Sequence, residues 1–261
     1  MRLVANALCL LLLAFASPAA ANLLVNPSFE SGNTGFTSDY TYFPPGSPGN
    51  MDDGRYSVIQ SLDQVHAIWA GAGSLSAQSG TNYFVANGAA NAALSPWSQT
   101  ISVAPGEVTV TGDTNAPVYY RFEAYIASVY GFGTPQPQLA FEMSLNNSGI
   151  WQELTTSTVP ATTNTWYLTY RDGYFLTAPS TVSFRLRNTV TAEGGNDFAV
   201  DSLYFGLSTN SPSYTNDPTG SPINSIGAIT GGAAVPEPGT WAAAALLVGG
   251  AAFVRWRRRQ I

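Results

Sequence analysis

Two glutamates, one histidine and a scatter of tyrosines and tryptophans are the residues with which this 261-residue chain could do chemistry. Glu123 and Glu142 fall in strand-like stretches, "VYYRFEAYIASV" (118–129) and "QLAFEMSL" (138–145). Two carboxylates about 5 to 10 Å apart would make a glycosidase. Glutamates alternating with apolar residues are more simply the wet face of a sheet, and that is the expected role. His66, the only histidine, lies in "QVHAIW", expected to be a strand. A Ser–His–Asp triad would need it, yet no Gly-x-Ser-x-Gly elbow is present. Walker loops, dinucleotide fingerprints and zinc spacings are also missing from the sequence. No catalytic residue is assigned, and the chain is expected to be non-enzymatic, with a glycan-active hydrolase as the alternative. The aromatics point elsewhere. Flat rings stack on sugar C–H faces while neighbouring polar groups read hydroxyls. Tyr40, Tyr42, Trp69, Trp97 and Tyr130 are the sugar-binding candidates. Tyr40, Tyr42 and Tyr130 lead, because loops carry binding in sandwiches.

The elements that must hold these residues read as strands. "TNYFVANG" (81–88), "WSQTISV" (97–103), 118–129, 138–145, "IWQEL" (150–154), "TWYLTY" (165–170), "GYFLTA" (173–178), "TVSFRLRN" (181–188) and "FAVDSLYFGL" (198–207) are rich in β-branched and aromatic residues. In 181–188, Val182, Phe184 and Leu186 share one face and Ser183, Arg185 and Arg187 the other. "NNSG" (146–149) is a hairpin turn. About nine strands in 185 residues predict an all-β, antiparallel sandwich. Residues 32–56 read as one long irregular loop, and 208–234, rich in Ser, Thr, Pro and Gly, as a flexible linker.

Composition narrows the partners. Charged residues make up 10% of the chain, and lysine is absent. Between Asn22 and Val235 stand 15 acids and 5 arginines, a net of −10. Such a surface repels nucleic acid and anionic membranes. The 32 aromatics supply a sizeable core. The one cysteine, Cys9, lies in the leader, so the mature domain is expected to have no disulfide.

Both ends read as processing segments. Arg2, the run Leu8–Phe15 and Ala19-Ala20-Ala21 form a signal peptide over 1–21. At the other end Trp241 to Val254 is uncharged, and Arg255, Arg257, Arg258 and Arg259 follow. Sixteen residues counted from Gly239 span about 24 Å as a helix, short of the roughly 30 Å hydrocarbon core. Snorkelling arginines would let such a transmembrane helix hold for a time, with the cluster on the inner side.

Val235-Pro236-Glu237-Pro238, an apolar segment and a terminal arginine cluster, on a chain with a signal peptide, resemble the bacterial PEP-CTERM sorting signals. The resemblance covers 235–261. It implies that an exosortase recognises Pro236, Glu237 and Pro238 and processes the tail. It also implies transient anchoring in the inner membrane, then release to the cell surface or an extracellular, biofilm-like matrix rich in exopolysaccharide.

A second resemblance covers roughly 22–207. "NLLVNPSFESG" (22–32) resembles the first strand of galactose-binding-like jelly rolls, which include many carbohydrate-binding modules, and "NDFAVDSLYF" (196–205) resembles their last. "SGTNYFVANG" (79–88), "WSQTISVAPGE" (97–107) and "YYRFEAYIA" (119–127) follow in the same order. This implies a jelly-roll domain with polysaccharide as partner. It also implies a structural calcium on Glu30 and Asp201, with carbonyls, Asn26 or Asn196 completing the shell. Ser202 stands where a second Asp is frequent, which removes one ligand. A matrix or adhesion component without a sugar site is the rival expectation.

Overall fold

The computed structural model describes residues 21–47, 49–71, 74–103, 118–130, 135–175, 179–192, 195–208 and 227–229. The expected signal helix, the sorting tail and most of the expected linker lie outside the described residues. Among the described residues no helix is long and apolar enough to cross a membrane.

Eleven strands are described: β1 (Thr41–Tyr42), β2 (Arg55–Ile59), β3 (Tyr83–Asn87), β4 (Trp97–Ser102), β5 (Val118–Ser128), β6 (Gln138–Leu145), β7 (Gln152–Thr158), β8 (Trp166–Phe175), β9 (Thr181–Asn188), β10 (Phe198–Ser208) and β11 (Gly227–Ile229). A 3-10 turn, Leu62–Gln64, leads into one short helix, α1 (Ala67–Gly71). The larger sheet runs β1-β2-β3-β10-β5-β8-β11 and the smaller β4-β9-β6-β7. Pairing is antiparallel except between β1 and β2. The result is a β-sandwich, as expected.

Its core follows from period-two alternation. β5 buries Phe122, Ala124 and Ile126 completely, and β9 buries Val182, Phe184 and Leu186. Phe122 meets Phe141 of β6 at 5.1 Å between centroids, and Phe184 meets Phe205 of β10 at 4.8 Å. Each such ring contributes roughly 1.5–3 kcal/mol by leaving water. Thr155 and Ser157 of β7 each hydrogen-bond the Thr169 hydroxyl of β8 at 3.0 Å, so a buried polar clasp joins the two sheets.

β3 is buried on both faces. Phe84 and Ala86 join the core between the sheets. Tyr83 and Val85 face outward into a second core with Ile59, Leu62, Val65, Trp69, Val129 and Ala199. That core is built by the excursion between β2 and β3, which covers one half of the larger sheet's outer face. His66 belongs to this excursion, just before α1, and not to a strand. Residues 32–56 hold β1 and the first part of β2, so they are not one unbroken loop. Gly227–Ile229, inside the expected linker, pairs with β8.

β10 carries one irregularity. Asp201 pairs with Tyr125 and Tyr204 with Glu123, so three steps on β10 match two on β5. Ser202 takes φ 50°, the left-handed region, and forms this β-bulge. Before the bulge Phe198 and Val200 point into the main core; after it Leu203, Phe205 and Leu207 do.

Candidate functional site

The half of the larger sheet's outer face that the excursion leaves open among the described residues presents tyrosines and charges. β5 turns Tyr119, Arg121, Glu123 and Tyr125 outward, between buried Tyr120, Phe122 and Ala124. β8 sets Tyr174 beside Tyr119, Asp172 beside Arg121, Tyr170 beside Glu123 and Leu168 beside Tyr125. On the other flank β10 sets Tyr204 beside Glu123 and Gly206 beside Arg121. The bulge matters here, because a one-residue slip exchanges the faces of every later side chain. It directs Tyr204 outward. Tyr204 then lies across Gly206, where a Cβ would collide with its hydroxyl.

Three rows result, each about 6.8 Å from the next along the strands. Tyr119 and Tyr174 form one, their rings 6.3 Å apart. Asp172, Arg121 and Gly206 form the middle row. Tyr170, Glu123 and Tyr204 form the third. Tyr174 is 60% exposed and the other three tyrosines are half-buried, while Tyr125 packs on the second core. Arg121 holds the middle together. Its Nε donates to Glu123, its Nη1 lies 3.4 Å from Asp172 Oδ2, and its guanidinium stacks 4.9 Å above the Tyr170 ring. Burial by itself would lower the Arg121 pKa, but Glu123 and Asp172 outweigh it and raise it. Burial raises Asp172 despite Arg121, and its Oδ1 is buried with no hydrogen-bond partner.

The expected sugar-binding residues lie elsewhere. Trp69 and Trp97 are 1% and 3% exposed, too deep to offer a ring face. Trp69 donates its indole N–H to Asp197, and Trp97 fills the main core. Tyr40 is buried, with its hydroxyl accepting the Ala89 N–H and its pKa pushed up to about 12 by burial. Tyr42 packs on the main core and Tyr130 on the second. None of the five joins the open face. The signal for the residues that do was alternation: Tyr119, Arg121, Glu123 and Tyr125 are every second residue of one run.

The glutamates are also separated. Glu123 faces out from the larger sheet. Glu142 alternates with core residues Phe141 and Met143 and faces out from the smaller sheet. There it accepts Arg185 Nε at 2.5 Å and Arg187 at 2.5 and 3.0 Å. Burial raises the Glu142 pKa, but the two arginines outweigh it and hold it below the usual carboxylate range.

Glu30 and Asp201 clasp one loop, 78–82, from two sides. Glu30 Oε1 accepts the N–H groups of Thr81 and Asn82 at 2.8 and 2.7 Å. Asp201 Oδ2 accepts those of Gln78 and Ser79 at 2.7 and 3.1 Å. Asp201 is fully buried, and burial pushes its pKa up to about 8, with Glu30 adding to the rise. Among the described residues no arginine pairs with either acid. Two carboxylates, the Gln78 amide oxygen and the Ser202 hydroxyl fit a cation in donor chemistry. Among the described residues no group of three or more His, Cys, Asp or Glu comes together, so backbone oxygens would complete such a shell. Asn26 is committed to Gly32 and Thr34, and Asn196 donates to the Val190 carbonyl while its own Oδ1 is buried and unpaired.

No family model and no curated protein match this chain. Solved structures do. It resembles the xylan-binding CBM22-1 domain of Paenibacillus barcinonensis Xyn10C at 15% identity, covering 72% of this chain and 97% of that one, with a TM-score of 0.43. A family 16 carbohydrate-binding module matches at 16% identity, 70% and 99% coverage and a TM-score of 0.38. The Stig cyclase Fisc from Fischerella sp. TAU matches at 13% identity, 72% and 98% coverage and a TM-score of 0.44. Likenesses this distant leave function to the chain's own side chains.

Proposed function

We propose that this chain is an exported, non-enzymatic protein whose jelly-roll sandwich binds polysaccharide through the open half of its larger sheet. The observation that carries the reading is the set of four tyrosines, Tyr119, Tyr170, Tyr174 and Tyr204, around Arg121, Glu123 and Asp172. Rings supply stacking surface, and the charged trio supplies donors and acceptors at fixed positions between them. The face spans three strands, about 10 Å, and lies on the sheet surface, which suits a run of sugar units rather than a single enclosed ring. The acidic domain favours a neutral polymer. The PEP-CTERM resemblance supplies the address: export by a signal peptide, exosortase processing of the tail, and residence at the cell surface or in the matrix. A structural calcium at Glu30 and Asp201 belongs to the same proposal.

Affinity electrophoresis of the exported protein through gels containing neutral polysaccharides, the host's own included, tests the reading. Retention is expected, and Tyr119→Ala with Tyr174→Ala should abolish it. Unretarded migration in every gel would leave a matrix component without a sugar site.

A further inference from the structure

A cleft of about 320 Å³ opens on the opposite side of the sandwich, on the outer face of the smaller sheet. Its walls come from five places in the chain. Thr37 and Asp39 come from the segment before β1, Ser95 from the turn before β4, Ser98 and Thr100 from β4, and Ser183 and Arg185 from β9. Trp151, just ahead of β7, closes one side. Thr37 exchanges both backbone hydrogen bonds with Ser98, each 2.8 Å, and so extends the sheet by one residue. The wall is therefore part of the ladder and not a loose loop.

The chemistry of these walls is specific. Four hydroxyls stand in two pairs, Thr37 with Ser98 and Thr100 with Ser183, both 2.8 Å. Each retains capacity for a further bond. The Arg185 guanidinium lies 4.2 Å from the centre of the Trp151 ring and is held there by Glu142. Asp39 is tied down by the Ser95 N–H at 2.9 Å. Arg185 and Arg187 share Glu142, and Asp39 supplies the second negative charge, so the cleft has no cationic excess with which to hold a phosphate. One flat indole, one carboxylate, one guanidinium and a row of hydroxyls match a small, neutral, hydroxyl-rich ligand. The volume sits at the low end for ligand sites, about 300–1,000 Å³.

We propose that this cleft is a second carbohydrate site, taking one or two neutral sugar units against the wall that Trp151 and the Arg185 stacked on it form together. Its existence is independent of the tyrosine face. Its consequence rests on that face: with sites on opposite outer surfaces, one domain bridges two polysaccharide chains.

Native mass spectrometry of the exported protein with cellohexaose, xylohexaose and mannohexaose counts the sites, and solution viscosity of the matching polysaccharide reads bridging. Two bound copies are expected. Thr100→Trp, an exposed strand position that tolerates an aromatic, should fill the cleft and leave one copy. Trp151→Ala should weaken that site roughly tenfold. Wild type should raise viscosity, and a variant of either face should not. If both cleft variants leave stoichiometry and viscosity unchanged, the second site is wrong, whatever the tyrosine face does. If cleft variants abolish all binding while Tyr119→Ala with Tyr174→Ala changes nothing, the cleft stands and the tyrosine-face reading falls. Absence of any bound hexasaccharide at millimolar concentration overturns both.

Discussion

Glu123 and Glu142 turn their backs on each other, one on each outer surface of the sandwich, and each is engaged by arginine. A pair so placed cannot straddle one glycosidic bond. Their surroundings also differ, because Glu142 is 9% exposed between two arginines and Glu123 is 25% exposed beside one. Glu142→Gln should therefore cost about 2 kcal/mol in urea unfolding, less than a fully buried pair because its arginines are partly solvated. Glu123→Gln should cost under about 1 kcal/mol. Equal costs would contradict the asymmetry.

Two buried acids set a pH dependence. Asp197 and Asp201 have pKa values of about 6 and about 8, raised chiefly by burial from 3.8. The folded state then binds more protons than the unfolded state above about pH 4. Stability from these groups is fully present below that pH and falls above it, the loss from Asp197 being complete once it ionises near 6 and that from Asp201 near 8. Each adds a slope of up to about 1.4 kcal/mol per pH unit. Melting curves from pH 4 to 9 in EDTA should show the decline, and Asp201→Asn should flatten its upper part. Glu142 has the opposite sign: its contribution is lost only as pH falls below its ordinary 4.5.

Calcium would alter that curve. A cation bound at Glu30 and Asp201 favours the ionised carboxylates, so added calcium should raise the melting midpoint near pH 7 and remove the upper decline. An identical curve with calcium and with EDTA would dispose of the metal.

Gly206 is the glycine on which Tyr204 rests. Gly206→Ala should lift that ring, cost about 1–3 kcal/mol as overpacking does, and weaken polysaccharide retention. Retention equal to wild type in the folded variant would remove Tyr204 from the binding face.

The tail has its own readout. Mass spectrometry of the exported protein should find the chain ending near Pro236-Glu237-Pro238, and an intact Ile261 would refute processing.

The sandwich was legible because alternation is local. "TVSFRLRN" and "QLAFEMSL" became β9 and β6 at the expected residues. The open tyrosine face was missed for a definable reason. Arg171 and Asp172 read as a break between two strands, whereas β8 runs through them. Once it is continuous, Tyr170, Asp172 and Tyr174 alternate and align with β5. The bulge that aims Tyr204 shows only in the count of paired residues. The second core was invisible because its excursion has no period of its own and is organised by the sheet beneath it. Trp69, which that core buries, therefore looked available when it was structural.

The order of strands in the larger sheet has a consequence for timing. β10, the last long strand in the chain, lies between β3 and β5 at the centre of that sheet. Before residues 198–208 arrive, β3 and β5 have no common partner, and Asp201 is not there to clasp the loop 78–82 behind β3. Such pairings between distant segments form slowly, because the intervening chain must be closed first. A chain threading a membrane pore from its first residue would thus stay open until nearly all of the domain has crossed. In a chain exported that way, the central place of the last strand would delay folding until the domain has crossed.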